Sequence, residues 1–350
     1  VCSSDLHDYK QIVEDPEVAI VVETMGGVEP AYTFVKEMLL AGKSVTTSNK
    51  ALVAEKGAEL IRIAKEREIN FQFEASVGGG IPIIRSLYKS LTADVIEEIS
   101  GILNGTTNYM LTAMTEKGAD YEAVLSEAQS LGYSERDPGA DVEGYDACRK
   151  IAILTSLVAG YQVDYQDIHT EGITGITPED IAYAKKLGRR IRLIASSKKT
   201  GDTYAALVAP FLVGEENPLY TVNGVFNAVF IHGNMLGDAM FYGSGAGKLP
   251  TASAVVADVI DMAKHHAPNR NIPMQWAEKK LVLADYRDAA YRFFVRTASS
   301  EEEIRKSFPR IEVVDAGISG ETAFLTEEMK EGEFEEKVKV LSAIQKLRLK

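Results

Sequence analysis

The run Val18-Ala-Ile-Val-Val-Glu23, stopped by Gly26-Gly27, is apolar at nearly every position over a span too short for a helix. A strand buried on both faces of a parallel sheet reads this way. Pro30 then opens a helix that reaches about residue 40, with Gly42 just past its end. Ser44-Val-Thr-Thr47 is a second strand and 51–68 a second helix. Asn70-Phe-Gln-Phe-Glu-Ala-Ser76 is a third strand, ended by Gly78-Gly79-Gly80. Strand, helix, strand, helix, strand is half of a doubly wound α/β sheet. The other half would open with a strand, G-x-G-x-x-G and a helix. No such fingerprint precedes Val18, and there is no room for one. The chain begins Val1-Cys-Ser-Ser-Asp-Leu6, without Met, which reads as a truncated or foreign start and is set aside. Two readings remain: a different α/β fold, or a first βαβ unit cut away.

Downstream the pattern changes to α+β. A strand over 95–103 is followed by helices over 107–116, 121–131 and 144–161, then by strands over 191–196, 205–210, 224–229 and 237–242. A long helix over 251–265 leads to Ala267-Pro-Asn-Arg-Asn-Ile-Pro273, the best linker candidate. The tail reads strand 291–296, helix 301–308, strands 311–314 and 322–325, helix 334–344, strand 346–349. That order, βαββαβ, is a small ferredoxin-like domain.

A chain of 350 residues calls for two or three domains. Its net charge of −13 argues against a nucleic-acid partner, which needs a basic face. It leaves room for a nucleotide cofactor, whose phosphates backbone N–H groups can hold. Two cysteines, Cys2 and Cys148, make no disulfide framework and fit a reducing cytoplasm. None of the five histidines stands at zinc-ligand spacing, and His265-His266 at a helix end suits the helix dipole. The most apolar stretch, 151–160, is about half the ~20 residues a bilayer crossing takes, so no membrane span is expected.

The densest polar cluster runs from Gly132 to Lys150 and joins two helices. Asp146 and Lys150, four apart, share a helix face, and the apolar positions after them bury the next turns. A lysine at that edge is placed to donate a proton, and Glu135, Asp141 and Asp146 to hold an ammonium group. The plainer reading is an exposed ion pair beside a capped loop. Thr46-Thr-Ser-Asn-Lys50 ends a strand, where ligands bind in open α/β sheets. Lys50 there either polarises a carbonyl or is simply solvated behind a cap. Phe73-Glu-Ala-Ser-Val-Gly-Gly-Gly-Ile-Pro82 lets something approach the backbone closely, or is only a tight turn. Asn104-Gly-Thr-Thr-Asn-Tyr109 reads as a helix cap. Gly243-Ser-Gly-Ala-Gly247 before the long helix is no P-loop, since Leu249 stands where Ser or Thr is required, but it suits an anion or an interdomain turn.

Taken in order, these segments resemble one family. Leu131-Gly-Tyr-Ser-Glu-Arg-Asp-Pro-Gly-Ala-Asp-Val-Glu-Gly-Tyr-Asp-Ala-Cys-Arg-Lys150 closely resembles the homoserine dehydrogenase signature. Thr47-Ser-Asn-Lys50, 73–82, 104–109, Glu171-Gly-Ile-Thr-Gly-Ile176 and 243–247 match the family in the same order, over about residues 8 to 270. The resemblance implies an NAD- or NADP-dependent oxidoreductase that interconverts aspartate 4-semialdehyde and homoserine, in the cytoplasm, as a homodimer or larger homo-oligomer. It implies Lys150 as proton donor, with Lys50 and Asp146 beside it in catalysis, and Glu135, Asp141, Asp146 and Lys150 on the substrate. Lys50, Gly26, Ser48, Gly132, Gly243, Gly245 and Gly247 match cofactor contacts. Glu74, Val77, Gly79 and Ile81 match a site for a monovalent cation, usually sodium, the last three through carbonyl oxygens, and hard oxygen ligands suit it.

The domains then divide as follows. Residues 1–104 form a partial dinucleotide-binding domain, an incomplete Rossmann-type parallel sheet completed by helix 248–268. Residues 105–247 form a substrate-binding, catalytic and dimerisation domain, and 274–350 an ACT-like regulatory domain. Without the glycine fingerprint, and the residue that selects NAD or NADP, cofactor binding is expected to be weak. The tail lacks the usual D-R-P-G-type loop and has Thr297-Ala-Ser-Ser300 there, so threonine as its effector stays open. Two other readings remain: a related amino-acid semialdehyde dehydrogenase, or a non-catalytic amino-acid sensor on the same scaffold.

Overall fold

The computed structural model describes residues 8–265 and 274–350. Residues 1–7, with Cys2 and His7, and 266–273, with His266 and the expected linker, lie outside them. Ile20–Glu23, Ser44–Thr47 and Phe71–Gln72 form a parallel sheet in that order, with Ile20 opposite Ser44 and Val45 opposite Phe71. Helices Ala31–Leu40 and Lys50–Glu66 make the crossovers. The side chain of Asn49 caps the second by accepting from Leu52 N–H. Helix Lys248–Lys264 returns from far along the chain and packs on the first two strands, which is why Ser44–Thr47 is buried throughout. This is a Rossmann-type α/β layer.

The expected strand over 70–76 is too long. Only Phe71–Gln72 pairs, and Glu74–Ser76 forms a buried 3-10 turn. The N–H of Glu74 goes to the carboxylate of Asp258 at 3.0 Å instead of to a strand neighbour, so the ladder stops there.

Among the described residues, Tyr161–Gln162 with Ala277–Lys280 and Ala290–Tyr291 with Met329–Lys330 form two small two-stranded pairs, and a ten-stranded sheet carries the other strands. Its path runs Gly237–Ser244, Phe226–Gly233, Ile96–Ile102, Arg189–Thr200, Thr203–Gly214, Ala343–Leu349, Phe293–Thr297, Thr322–Thr326, Ile311–Val314, with His169–Thr170 beside Thr203–Gly214. The last four on that path are the tail, in the spatial order fourth, first, third, second, which is ferredoxin-like. The tail's last strand joins the central sheet in parallel, Arg348 opposite Phe211 and Leu349 opposite Leu212. Two tail boundaries differ from expectation. The expected helix over 334–344 is Glu331–Val338, because Ala343 pairs with Thr297 and the Ser342 carbonyl accepts from Ala298 N–H. The expected strand over 291–296 splits: Ala290–Tyr291 pairs with Met329–Lys330, and Phe293–Thr297 enters the main sheet. Helix Pro178–Lys186, unforeseen, opens on a capping box between Thr177 and Asp180.

Helix Tyr145–Ala159 lies over the central sheet and buries Ile151, Ile153 and Leu154. Among the described residues no helix is long and apolar enough to cross a membrane.

Candidate active site

Gly144 turns the chain into helix Tyr145–Ala159 at φ +83, where a Cβ would lie 3.0 Å from Thr170 Cγ2 and 3.2 Å from the Glu171 carbonyl oxygen. One turn into the helix, Asp146 and Lys150 point inward, 2% and 8% exposed. Lys150 Nζ donates to Asp146 Oδ2 and to the Leu103 carbonyl, each at 2.7 Å. From the other layer, Lys50, the first residue of helix Lys50–Glu66 just past strand Ser44–Thr47, brings its Nζ to 2.6 Å from Asp146 Oδ1. Asn104 Nδ2 donates to Asp146 Oδ2 and to Asp141 Oδ1, both at 2.8 Å. One carboxylate thus sits between two ammonium groups, with a second carboxylate tied in by an amide.

Electrostatics separates the two acids. Burial pushes the Asp146 carboxyl up, but Lys150 and Lys50 together outweigh it and hold it below the usual carboxylate range. Burial also pushes Asp141 up, and the charge of Asp146 adds to it. Asp146 stays ionised, and Asp141 is the readier of the two to take a proton. Burial pulls Lys50 down, yet the charge of Asp146 prevails and its ammonium is held above the usual range. The protonated form of Lys50 is therefore secure near neutral pH.

Two glycine turns lie face to face, Gly78–Gly80 against Ser244–Gly245. Gly78 and Gly79 have φ of +75 and +54. A Cβ on Gly79 would fall 2.6 Å from the Gly245 carbonyl oxygen, and one on Gly80 2.9 Å from Pro250 Cβ. Gly80 N–H donates to the Ser244 carbonyl at 3.1 Å. What approaches Gly79 is the other turn, and what approaches Gly80 is the first turn of helix Lys248–Lys264. Gly79→Ala is expected to destabilise the protein by about 1–3 kcal/mol, from the left-handed φ and the blocked approach together. Thermal melting checks it, and a melting temperature equal to that of the parent protein would refute it.

Beneath the first turn, the Glu74 carboxylate accepts from Ile84 N–H at 2.9 Å and Arg85 N–H at 2.8 Å. Burial pushes it up to about 7 despite those bonds. Asp258 on helix Lys248–Lys264 gathers Thr46 Oγ1 at 3.0 Å and Arg85 Nη2 at 2.6 Å, besides Glu74 N–H. The Ile81 carbonyl accepts from Ile83 N–H. Among the described residues no three His, Cys, Asp or Glu side chains gather as metal ligands, so a cation near Val77, Gly79 and Ile81 would rest mainly on carbonyl oxygens.

Among the described residues, the remaining expected positions form no hydrogen bond or ion pair with the Asp146 cluster. Gly26 borders open space next to Glu23, whose buried carboxylate is held by the Thr47 hydroxyl and Met25 N–H. Ser48 N–H donates to the Glu23 carbonyl at 3.4 Å. Gly243 packs on Ile81, and Gly247, at φ +112, precedes helix Lys248–Lys264. Gly132 is exposed at φ +74 just past helix Tyr121–Ser130. Glu135 is exposed, and the contacts that hold Asp146 do not include its carboxylate. His265 Nδ1 lies 2.8 Å from the Asp261 carbonyl, at the helix end where a dipole contact was expected.

Two residues escape the sequence reading. Asn104 reads there only as a cap, which it is, accepting from Thr107 N–H at 2.8 Å. Its second task needs the fold. Asp258 left a signal: it is an acid on the buried stripe Ala254, Val255, Met262 of an apolar helix, and a buried acid needs partners.

Residues 82–260 match the family model for homoserine dehydrogenase, and residues 2–74 match that for the homoserine dehydrogenase NAD binding domain. The homoserine dehydrogenase of Synechocystis sp. is 49% identical over 259 residues, 73% of this chain and 60% of that protein. That of Bacillus subtilis is 44% identical over 265 residues, 76% of this chain and 60% of that protein. The chain therefore spans 60% of the length of these curated relatives. Among solved structures, a homoserine dehydrogenase from Thiobacillus denitrificans is 35% identical with a TM-score of 0.88, covering 98% of this chain and 85% of that one. A hyperthermophilic archaeal homoserine dehydrogenase in complex with NADPH is 32% identical with a TM-score of 0.65, covering 75% of this chain and 77% of that one.

Proposed function

Because the chain belongs to the homoserine dehydrogenase family, we propose that it interconverts L-aspartate 4-semialdehyde and L-homoserine using NAD or NADP. The observation that carries this reading is Asp146 held between Lys50 and Lys150, at 2.6 Å and 2.7 Å, beside the strand end of Ser44–Thr47. Ligands of open α/β sheets bind at such strand ends. The cofactor, when bound, supplies or accepts the hydride at C4. The protein's part is positional and electrostatic. Lys150 gives a proton to the developing C4 alkoxide and takes it back in the reverse direction. Lys50 stabilises the negative charge on that oxygen. Asp146 fixes both ammonium groups, and Asp141, with Glu135 from the exposed loop, meets the substrate ammonium. Gly26, Ser48, Gly132, Gly243, Gly245 and Gly247 are assigned to the cofactor.

Homoserine-dependent reduction of NADP or NAD, followed by absorbance, tests the proposal. Turnover of another amino-acid alcohol in preference to homoserine would favour a related semialdehyde dehydrogenase. No turnover of any, with amino-acid binding retained, would favour a sensor.

We assign residues 1–104 with helix Lys248–Lys264 to the cofactor, 105–247 to the substrate and to dimerisation, and 274–350 to an ACT-like module, in a cytoplasmic homodimer or larger assembly. The tail's strand order supports that last assignment. Threonine is its proposed effector, and an unchanged rate in excess threonine would reject it. Sodium is the proposed cation at Glu74, Val77, Gly79 and Ile81. A ligand that binds only the folded state raises its stability. Replacing sodium by tetramethylammonium at equal ionic strength is expected to lower the melting temperature, and identical melting curves would remove sodium from the site.

A further inference from the structure

The motif Glu171-Gly-Ile-Thr-Gly-Ile176 adds no side chain to the Asp146 cluster. It lies between that cluster's loop and the tail. On the inner side, Ile173 N–H donates to the Val142 carbonyl at 2.8 Å. A Cβ on Gly172 would fall 2.3 Å from the Val142 carbonyl oxygen and 2.7 Å from Glu143 Cα. Gly144 in turn abuts Thr170 and the Glu171 carbonyl. Residues 139–144, which present Asp141 and start the helix of Asp146 and Lys150, are thus seated directly on 170–173.

On the outer side two buried arginines from the tail hold the segment and the helix start that follows it, Arg348 at Glu171 and Arg296 at Thr177 and Asp180. Arg348, 5% exposed, donates to Glu171 Oε1 at 2.6 Å and Oε2 at 3.0 Å, and to both carboxylate oxygens of Glu331 at 2.7 Å. Arg296, 4% exposed, donates to Asp180 Oδ1 at 2.6 Å and Thr177 Oγ1 at 3.0 Å, and to Glu321 at 2.8 and 2.9 Å. Gln345 adds bonds to the Gly175 carbonyl at 3.0 Å and Asp180 Oδ2 at 3.1 Å. Bidentate arginine–carboxylate pairs fix orientation as well as distance. Burial pushes the Glu171 carboxyl up, but His169 and Arg348 prevail and hold it at about 2, so it is ionised whenever the arginine faces it.

We propose that Arg348 is a positioning residue for the reaction: through Glu171 and the 170–173 backbone it holds the loop that presents Asp141 and Asp146 to the substrate. The inference rests on the proposed function for its kinetic consequence, but not for its structural one. Residues 293–350 lie outside both matched family models, so the tail grips a family motif from beyond the matched region.

The test compares the parent chain with Arg348→Met and with the triple variant Arg348→Met, Glu171→Gln, Glu331→Gln. Arg348→Met alone leaves the buried Glu331 carboxylate facing the partly exposed Glu171 carboxylate with no cation between them and risks misfolding, whereas removing all three charges avoids that cost. Arg348→Lys keeps the charge without the fork. In the triple variant, faster amide hydrogen exchange is expected over 139–150, with the core strands 189–214 unchanged. The KM for homoserine is expected to rise roughly ten- to a hundredfold, as small displacements of a binding group do, with the KM for cofactor nearly unchanged. Arg348→Lys is expected to fall between the two. A folded triple variant with parental exchange over 139–150 and parental homoserine KM would overturn the inference, and so would a uniform rise of exchange through the whole sheet. If the parent chain does not oxidise homoserine, the proposed function fails, while the exchange comparison still judges the role of Arg348.

Discussion

Lys150→Met is expected to lower kcat for homoserine oxidation by roughly a hundred- to ten-thousandfold, the range associated with losing a positioned general acid or base. The physical case rests on what Lys150 touches. Its Nζ spends two bonds on Asp146 Oδ2 and the Leu103 carbonyl, each at 2.7 Å. That fixes the ammonium at the edge of the cluster and leaves a third proton to point outward. Methionine keeps most of the stem and its packing against the buried face, so the change removes chemistry more than volume. Asp146 retains Lys50 at 2.6 Å and Asn104 at 2.8 Å, so the carboxylate is not stranded. Lys150→Arg should fail nearly as badly, because a guanidinium keeps its proton at any working pH. Steady-state kinetics beside a melting curve check this. A folded Lys150→Met protein within tenfold of parental kcat would remove Lys150 from the proton transfer.

Much of the cofactor layer was legible because its signals are local. The runs ending at Glu23 and Thr47 are strands as expected, and Gly42 and Pro30 bracket the first crossover helix. Burial on both faces holds only for Ser44–Thr47: Ile20–Glu23 stands at the sheet edge with Val22 45% exposed. The third strand was overextended because apolar alternation continues through Phe73, and only long-range contact with Asp258 turns the backbone there. The helix expected to reach residue 344 failed for the same kind of reason: its last residues are helix-compatible, and the tail's first strand recruits Ala343. Helix Pro178–Lys186 had its start written in Thr177-Pro-Glu-Asp180, a signal that went unused. At the site, the Asp146–Lys150 pair follows from helical spacing alone. The meeting of Asp146 with Lys50, of Gly79 with Gly245 and of Glu171 with Arg348 joins distant parts of the chain. No local pattern encodes such a meeting, although five of those six residues stand in the motifs quoted above. Arg348 had no such mark: an arginine near a chain end reads as solvated until a sheet buries it.

Asp146→Asn should be as damaging as the loss of Lys150, but with a different signature. The carboxylate is what keeps two ammonium groups within one small volume. With an amide in its place Lys50 and Lys150 face each other, and breaking a buried pair from one side costs about 3–5 kcal/mol. The side chain of Lys50 is partly open to solvent, so Lys50 is expected to swing outward and relieve part of that cost. Activity should drop because the alkoxide then loses an oriented cation, and the pH profile should move as well. Asp146 is what holds the Lys50 ammonium above its usual range against burial. Without it Lys50 deprotonates at lower pH, and the alkaline limb of semialdehyde reduction shifts toward neutrality. Stability supplies an independent check with a defined sign. The folded-state pKa of Asp146 lies below its ordinary value of 3.8. Its contribution is therefore present above that value and is lost as pH falls through the depressed folded pKa. The melting-temperature gap between parent and Asp146→Asn should be largest near neutral pH and close as the solution is acidified below the ordinary carboxylate range. Asp146→Glu, which keeps the charge, should retain the parental limb while losing rate through misplacement. A gap that does not narrow in acid, together with an unmoved alkaline limb, would mean that Asp146 is not the charge that organises the two lysines.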